Sequence, residues 1–238
     1  AISNLVAGDN VVVSASGVFA DNANVAYSGS TIIDKTVNLT ETITGTDASN
    51  YSFTYQGTAT AKVTPKTVTL SSISINDKTY DAGTGGTIDG YTISGLVGSE
   101  VLDLSGTATF ADKNVGSSIG VTVDSLSIAD GTVTDATTQD AGLSANYQLA
   151  TSSFATTGNI TPAALTITGT AAKSGGYTYT GKTTIELDAG TVSGLQGGET
   201  LTVSATGLLP SANASTEVDG VMVTYALSDG TTGTTGLA

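Results

Sequence analysis

Apolar and polar residues alternate with a period of two along much of the chain. Clear examples are residues 101–104, 119–123 and 200–203. Such alternation, rich in β-branched residues, is typical of strands that bury one face. Gly, Asn and Asp interrupt these segments about every 8 to 12 residues, which is the turn spacing of β-sandwiches and small barrels. No segment keeps a helical period, and the best candidate for a short helix is 96–102. The pattern predicts an all-β protein.

The chain also repeats itself. Residues 96–112 match residues 5–21 at a constant offset of 91, and residues 194–199 repeat residues 95–100 at an offset of 99. A repeat of somewhat under 100 residues is the size of a self-sufficient β-module. The chain is therefore expected to be an array of similar modules.

The repeat register predicts three modules. We expect an incomplete first module at 1–65, which lacks its opening strands, a complete module at 66–162, and a third at 163–238, which lacks its closing strands. Residues 229–231 (Asp-Gly-Thr) match residues 130–132 and set this last register. We expect the chain to be an excerpt of a longer array or a filament protomer whose end modules are completed by neighbours.

Residues that recur at equivalent positions of the repeats favour a β-sandwich. Tyr51 and Tyr147 each follow an Asn, and both are interpreted as tyrosine corners, in which the hydroxyl bonds back to the main chain. Phe19 and Phe110 each precede Ala-Asp and are the predicted core anchors. The predicted fold is a series of tandem Ig-like β-sandwich modules arranged end to end. The alternative is a series of small β-grasp-like modules with one short helix.

The amino-acid composition excludes several kinds of active site and of binding partner. The 238 residues carry a formal charge of -14, with seven Lys+Arg that are all lysines, and no His, Cys or Trp. The absence of His and Cys excludes a thiol nucleophile, a Ser-His-Asp triad and a transition-metal site with nitrogen or sulfur ligands. The acidic balance gives no electrostatic basis for binding nucleic acid. No run of residues is apolar and long enough to span a membrane.

Carboxylates are the remaining candidates for a reactive site. Glu186 and Asp188 could be imagined as a glycosidase pair, but the Trp and Arg that normally line a sugar cleft are missing. Asp130, Asp135 and Asp140 form the best cluster of hard oxygen ligands, so Ca²⁺ is left open. Acidic residues in loops are usually solvated turn formers. We expect no enzyme activity and no cofactor, and we assign no catalytic, cofactor-binding or metal residue.

Five segments of the chain resemble a known family. Residues 78–81 (Lys-Thr-Tyr-Asp), 95–98, 109–116, 146–147 and 160–162 are similar to YDG-type and related MBG-type repeats. These repeats occur in large secreted bacterial adhesins, including filamentous-haemagglutinin-like proteins. Ala82 stands where that family usually has Gly, and the third repeat has Tyr179-Thr180-Gly181 in place of Tyr-Asp-Gly.

The resemblance implies an extracellular module, used in tandem, without known catalysis. We therefore expect a stalk or filament shaft at the bacterial surface, which projects a binding tip or links cells, as in a biofilm. Its expected partners are neighbouring modules or like chains, with no nucleic acid and no membrane insertion. In the alternative, the modules themselves bind a carbohydrate or a host or matrix protein, and the tyrosines available for this are Tyr55, Tyr91, Tyr177 and Tyr179.

Overall fold

The computed structural model describes residues 4–213 and 220–229, and these residues are nearly all β. In the first repeat a long antiparallel pair joins β1 to β4, and β5 adds to the far side of β4 in the order β1-β4-β5. The strands are β1 (Val12–Phe19), β2 (Tyr27–Ser28), β3 (Thr31–Ile32), β4 (Lys35–Thr44) and β5 (Thr58–Ala61), with a 3-10 turn at Ala48–Asn50.

The middle repeat contributes two sheets. One has the order β13-β6-β9, and the other has the order β12-β10-β11-β14-β7, with β8 also paired to β10. The strands are β6 (Lys66–Ile75), β7 (Lys78–Thr79), β8 (Gly85–Gly86), β9 (Ile88–Ser94), β10 (Glu100–Phe110), β11 (Gly116–Asp130), β12 (Asp140–Ala141), β13 (Tyr147–Leu149) and β14 (Phe154–Thr161), with a 3-10 turn at Ser144–Asn146.

The third repeat follows the same plan with shorter strands. Its sheets have the orders β15-β18 and β16-β17-β19-β20. The strands are β15 (Thr166–Thr168), β16 (Ala171–Ala172), β17 (Thr184–Asp188), β18 (Thr191–Ser193), β19 (Leu201–Leu208) and β20 (Met222–Asp229). Of the predicted match at residues 229–231, Gly230 and Thr231 lie outside the described residues.

The chain forms two compact units. Unit 1 comprises residues 1–71, 92–105 and 127–152, and unit 2 comprises residues 72–91, 106–126 and 153–238. The middle repeat is thus shared, because β6, β10 and β11 each have one end in unit 1 and the other in unit 2. The units do not coincide with the predicted modules, whose boundaries at residues 65 and 162 stay predictions.

Each unit has a core of its own. In unit 1, Val68, Leu102 and Tyr147 are buried together, so that β6 and β13 pack against β10. In unit 2, the largest fully buried side chains include Phe110 and Ile160. Alternation along the strands sends these side chains inward from facing sheets, as in a sandwich. The all-β sandwich class predicted from the sequence is confirmed.

Two expectations about individual segments are corrected. Residues 96–102 do not form a helix, because Gly95 (φ 99) and Gly98 (φ 56) place left-handed turns before β10 begins at Glu100. The described residues contain no α-helix. Phe110 is a core anchor at 2% exposure, whereas Phe19 is only half-buried, with the Lys35 ammonium 5.5 Å from its ring centroid. The described part of the chain has no helix that is long and apolar enough to cross a membrane.

Candidate functional site

Tyr147 forms hydrogen bonds with the turn before β10 in unit 1. The main-chain N–H of Val97 donates to the Tyr147 hydroxyl at 3.0 Å, and that hydroxyl donates to the Glu100 carboxylate. Burial and the hydrogen bond to Glu100 raise the pKa of Tyr147. The turn and the strand β13 are therefore held together although they lie about 50 residues apart.

The first repeat contains the same arrangement. The Val6 N–H donates to the Tyr51 hydroxyl at 3.0 Å, and that hydroxyl donates to the Asp9 carboxylate at 2.5 Å. The bond to Asp9 is the main reason that the pKa of Tyr51 is raised. Each tyrosine hydroxyl bonds to the main chain, but it accepts an N–H from a turn 45 or 50 residues earlier, so these tyrosines are not the predicted tyrosine corners, which bond a few residues upstream. Sequence reasoning missed the acidic partner. The signal was present, since the repeat carries Asp9 and Glu100 at equivalent positions.

Asn146, next to Tyr147, binds the first repeat within unit 1. Its side-chain oxygen accepts the Val25 N–H at 2.9 Å, and its side-chain nitrogen donates to the Asn24 side-chain oxygen at 2.9 Å. The Tyr27 hydroxyl adds a bond to the Ala145 carbonyl at 3.2 Å. Val25 is buried at this contact. Asn146 thus recognises the loop that follows β1, and we call these contacts the first junction.

A buried lysine shapes the loop that Asn146 recognises. The Lys35 ammonium donates to the Asn22 carbonyl at 2.7 Å, to the Asn22 side chain at 3.0 Å and to the Asn24 carbonyl at 2.8 Å. It also pairs with Asp21 at 3.0 Å, and the residue is only 6% exposed. Hydrogen bonds from the Asn22 main chain and from Lys35 lower the pKa of Asp21. A buried ammonium needs such partners to offset its lost hydration.

A second junction joins the middle and third repeats within unit 2. The Tyr80 hydroxyl donates to Glu199, and this bond, with burial, raises the pKa of Tyr80 to about 12. The Lys113 ammonium lies 3.6 Å from Glu199, whose side chain is 7% exposed. Beside them, a Cβ added to Gly197 would lie 2.5 Å from the Ala82 Cβ. Only a glycine fits at 197 without displacing the main chain around Ala82.

The two junctions have one structural feature in common. In each, the loop after the Phe-Ala motif of one repeat, at residues 19–25 or 110–115, reaches the following repeat. In unit 1 the residue reached is Asn146, beside Tyr147, and in unit 2 it is Glu199, in the turn of the third repeat. Glu199 corresponds to Glu100 at the repeat offset. The family marker Tyr80 therefore acts between repeats.

Comparison with known proteins finds one family within the chain. Residues 64–155 match the family model of the YDG domain. The middle of the chain carries a YDG-type module. This confirms the resemblance that the motifs predict, and the YDG-type segment includes Tyr80, Lys113 and Asn146. Neither a curated protein nor a solved structure matches the chain.

The candidate carboxylates do not converge. Glu186 pairs with Lys173 on the exposed face of β17, and Asp188 accepts the Gly190 N–H at 3.2 Å in the following turn. Lys173 lowers the pKa of Glu186 through their hydrogen bond. Neither carboxylate has the buried environment that raises the pKa of a general acid.

The three aspartates of the possible calcium cluster bind different partners in unit 1. Asp130 accepts the Ser144 N–H and hydroxyl, both at 2.7 Å, and Asp140 accepts the Ser99 hydroxyl at 2.5 Å. Asp135 accepts bonds from the two threonines that follow it closely in the chain. These bonds lower the pKa of Asp130 and Asp135. Among residues 4–213 and 220–229, no three such side chains gather as a metal site.

Two of the exposed tyrosines line a groove in the third repeat. Tyr177 and Tyr179 border a space of about 580 Å³ whose apolar lining includes Leu209, Val221 and Val223. The Tyr177 hydroxyl is already engaged, since it donates to the Glu186 carbonyl at 2.5 Å. Tyr55 and Tyr91, the other candidates, are not part of this groove.

Proposed function

We propose that this chain is a structural repeat region, the stalk or filament shaft of a secreted bacterial adhesin, and that it has no catalytic role. The observation that carries the proposal is the pair of junctions, each built from side chains of two successive repeats. Hydrogen bonds at both junctions, and an ion pair between Lys113 and Glu199 at the second, support a stiff connection between repeats rather than free movement about a linker.

The junction chemistry suits an extracellular, load-bearing role. The Tyr80–Glu199 and Asn146–Asn24 contacts depend on neither a metal nor a disulfide, and the chain has no cysteine to be oxidised. A shaft of this kind needs strands, turns and locked contacts, which are the features that the YDG-type motifs supply. Its proposed partners are neighbouring repeats or like chains at the bacterial surface.

Imaging of the native material tests this role. Negative-stain electron microscopy should display rods or fibres, and particles of an Asn146→Ala/Glu199→Ala double variant should be more bent. Glu186→Ala is the matched control, since it removes an exposed carboxylate of the third repeat. Compact native monomers, or equal bending of variant and control, would contradict a shaft.

A second candidate function is supported by the groove beside Tyr177 and Tyr179. In this reading the third repeat binds a carbohydrate or a host protein, because paired tyrosines offer apolar faces with polar edges. A glycan array with the native chain and a Tyr177→Ala/Tyr179→Ala variant separates the two functions. Tight binding that the double variant abolishes would favour the binding role.

A further inference from the structure

Two lysines lie over the phenylalanines of the Phe-Ala motif. The Lys35 ammonium is 5.5 Å from the ring centroid of Phe19, and the Lys78 ammonium is 5.8 Å from that of Phe110. Both distances are within the roughly 6 Å at which a cation interacts with an aromatic face. The two lysines are not equivalent in the repeat, because Lys35 follows its phenylalanine in the chain and Lys78 precedes its own. The same contact is therefore built twice from different positions.

In the first repeat the ammonium holds both ends of a three-residue turn, 22–24. The Asn22 side-chain oxygen accepts the Asn24 N–H at 2.9 Å and the Lys35 ammonium at 3.0 Å. Lys35 also donates to the Asn24 carbonyl at 2.8 Å. The turn fixed in this way presents the Asn24 side chain and the Val25 N–H to Asn146 of the middle repeat.

In the middle repeat Lys78 holds a turn of the same design, 81–83. The Asp81 side-chain oxygen accepts the Gly83 N–H at 2.9 Å and lies 2.7 Å from the Lys78 ammonium. Lys78 also donates to the Gly83 carbonyl at 2.9 Å. Between these two residues Ala82 has a φ of 63°, a left-handed conformation that is unfavourable for alanine. A turn under this strain needs contacts that hold it, and the lysine supplies them at both ends.

The strained turn lies at the second junction. Tyr80, immediately before it, donates to Glu199, and a Cβ added to Gly197 would lie 2.5 Å from the Ala82 Cβ. Lys78 binds residues of its own repeat, whereas Tyr80 and Ala82 face the third repeat. The lysine thus acts on the junction through the shape of the turn.

We propose that Lys35 and Lys78 are the positioning residues of the two junctions, each holding a turn in the shape that the following repeat recognises. The role requires the charge, because an ammonium has three N–H donors for oxygen acceptors and is attracted by an aromatic face. A methionine of similar length could fill the space without fixing the turn. The inference rests on the junction contacts and stands whether or not the chain is a shaft.

Each junction contains a tyrosine that can report on it in the full 238-residue chain. The Tyr27 hydroxyl donates to the Ala145 carbonyl at the first junction, and the Tyr80 hydroxyl donates to Glu199 at the second. The chain is labelled with 3-fluorotyrosine, and its fluorine NMR spectrum is recorded. Tyr27→Phe and Tyr80→Phe identify the two resonances, and Tyr179→Phe identifies that of a tyrosine that is mostly exposed.

The two lysine variants should affect different tyrosines. Lys78→Met should move the Tyr80 resonance toward that of the exposed Tyr179 and leave Tyr27 unchanged. Lys35→Met should move the Tyr27 resonance and leave Tyr80 unchanged. Each variant is thus the matched control of the other, since both remove one ammonium from above a phenylalanine ring.

Two further variants test the same turn if Lys78→Met does not fold. The chain has no cysteine, so Lys78→Cys can be alkylated at a single site with 2-bromoethylamine, which rebuilds an ammonium at the length of lysine. This treatment should return the Tyr80 resonance to its native position. Asp81→Ala, at a side chain that is 58% exposed, should move Tyr80 as Lys78→Met does. Its control is Asp188→Ala, which removes a similar contact to the Gly190 N–H.

Three outcomes would overturn the proposal. A native Tyr80 resonance in both Lys78→Met and Asp81→Ala would mean that the turn does not position the junction. Movement of all tyrosine resonances together would show that the lysine supports the fold as a whole. A Tyr80 resonance that aminoethylation does not restore would show that the charge is not what the turn requires. None of these results depends on whether native material forms rods, so failure here and failure of the shaft role are distinguishable.

Discussion

The middle and third repeats of unit 2 place similar residues in contrasting environments. Val121 and Val123 are buried beneath a complete sandwich, whereas Val221 and Val223, in the same Gly-Val-x-Val pattern, line an open groove. In the middle repeat β14 covers these valines, whereas no strand covers them in the described part of the third repeat. Similar alternation therefore specifies a strand with an inward face, while pairing with a distant segment decides whether that face is buried.

The largest expected effect comes from truncating the aromatic anchor. Phe110→Ala should lower the free energy of unfolding by about 3–4 kcal/mol, since it removes a fully buried ring. The matched change Leu209→Ala in the third repeat should cost about 1 kcal/mol, because Leu209 is half-buried. Denaturant unfolding followed by circular dichroism measures both. Equal losses would mean that the third repeat is as closed as the middle one.

Filling the space at Gly158 should have the next largest effect. A Val at 158 would place its Cβ 2.9 Å from the Phe110 ring and 3.4 Å from an Ile75 methyl group, and overpacking of this kind costs about 1–3 kcal/mol. Gly120→Val is the control, as the nearest atom to its added Cβ is the Ala111 Cβ at 3.9 Å. Thermal unfolding should separate the two variants. A stable Gly158→Val protein would show that the ring of Phe110 can move aside.

The second junction should respond to alkaline pH. The pKa of Tyr80 is raised to about 12 from an ordinary value of 10.0, so the folded state favours the neutral phenol. That contribution is fully present below about pH 10 and is lost as the pH rises through about 12. Ultraviolet absorbance of tyrosinate should show a late-titrating component that Tyr80→Phe reduces.

The control for this titration is Tyr179→Phe, which removes a tyrosine hydroxyl at a position that is 67% exposed. If Tyr80→Phe changes the late component no more than this control does, the Tyr80 phenol is not bonded to Glu199 in solution. Such a result would remove the contact that distinguishes this junction from the one built on Asn146.

Features that depend on short stretches of sequence could be predicted. Alternation predicts the strands, and the Asn-Tyr marker predicts that the Tyr147 hydroxyl bonds to the main chain, although not that it accepts the N–H of the distant Val97. The YDG-type motifs identify the module confirmed at residues 64–155. The candidate helix at 96–102 was wrong because two apolar pairs spaced like a helical face belong to a turn and a strand, with Gly98 between them.

The contacts that join repeats were beyond prediction because they connect distant residues. Tyr80 and Glu199 are 119 positions apart, and Asn146 and Asn24 are 122 apart. Nothing in the local pattern around Lys35 indicates a buried ammonium with main-chain ligands, since its neighbours Thr36 and Val37 read as an ordinary strand. Such contacts depend on which loop the fold brings to which turn, and only the recurrence of Glu100 as Glu199 hinted at one.

The smallest expected effect concerns the exposed ion pair of the third repeat. Glu186→Gln removes the partner of Lys173, but both side chains are at least half-exposed, so water and salt screen their attraction. We expect no measurable change in melting temperature at neutral pH. Glu199→Gln, the same chemical change at a side chain 7% exposed, should lower it, because Tyr80 and Lys113 both contact that carboxylate. If Glu186→Gln and Glu199→Gln had the same melting temperature, the buried contacts of the second junction would not stabilise the fold. The stiffness inferred from that junction would then have to come from the apolar strands alone.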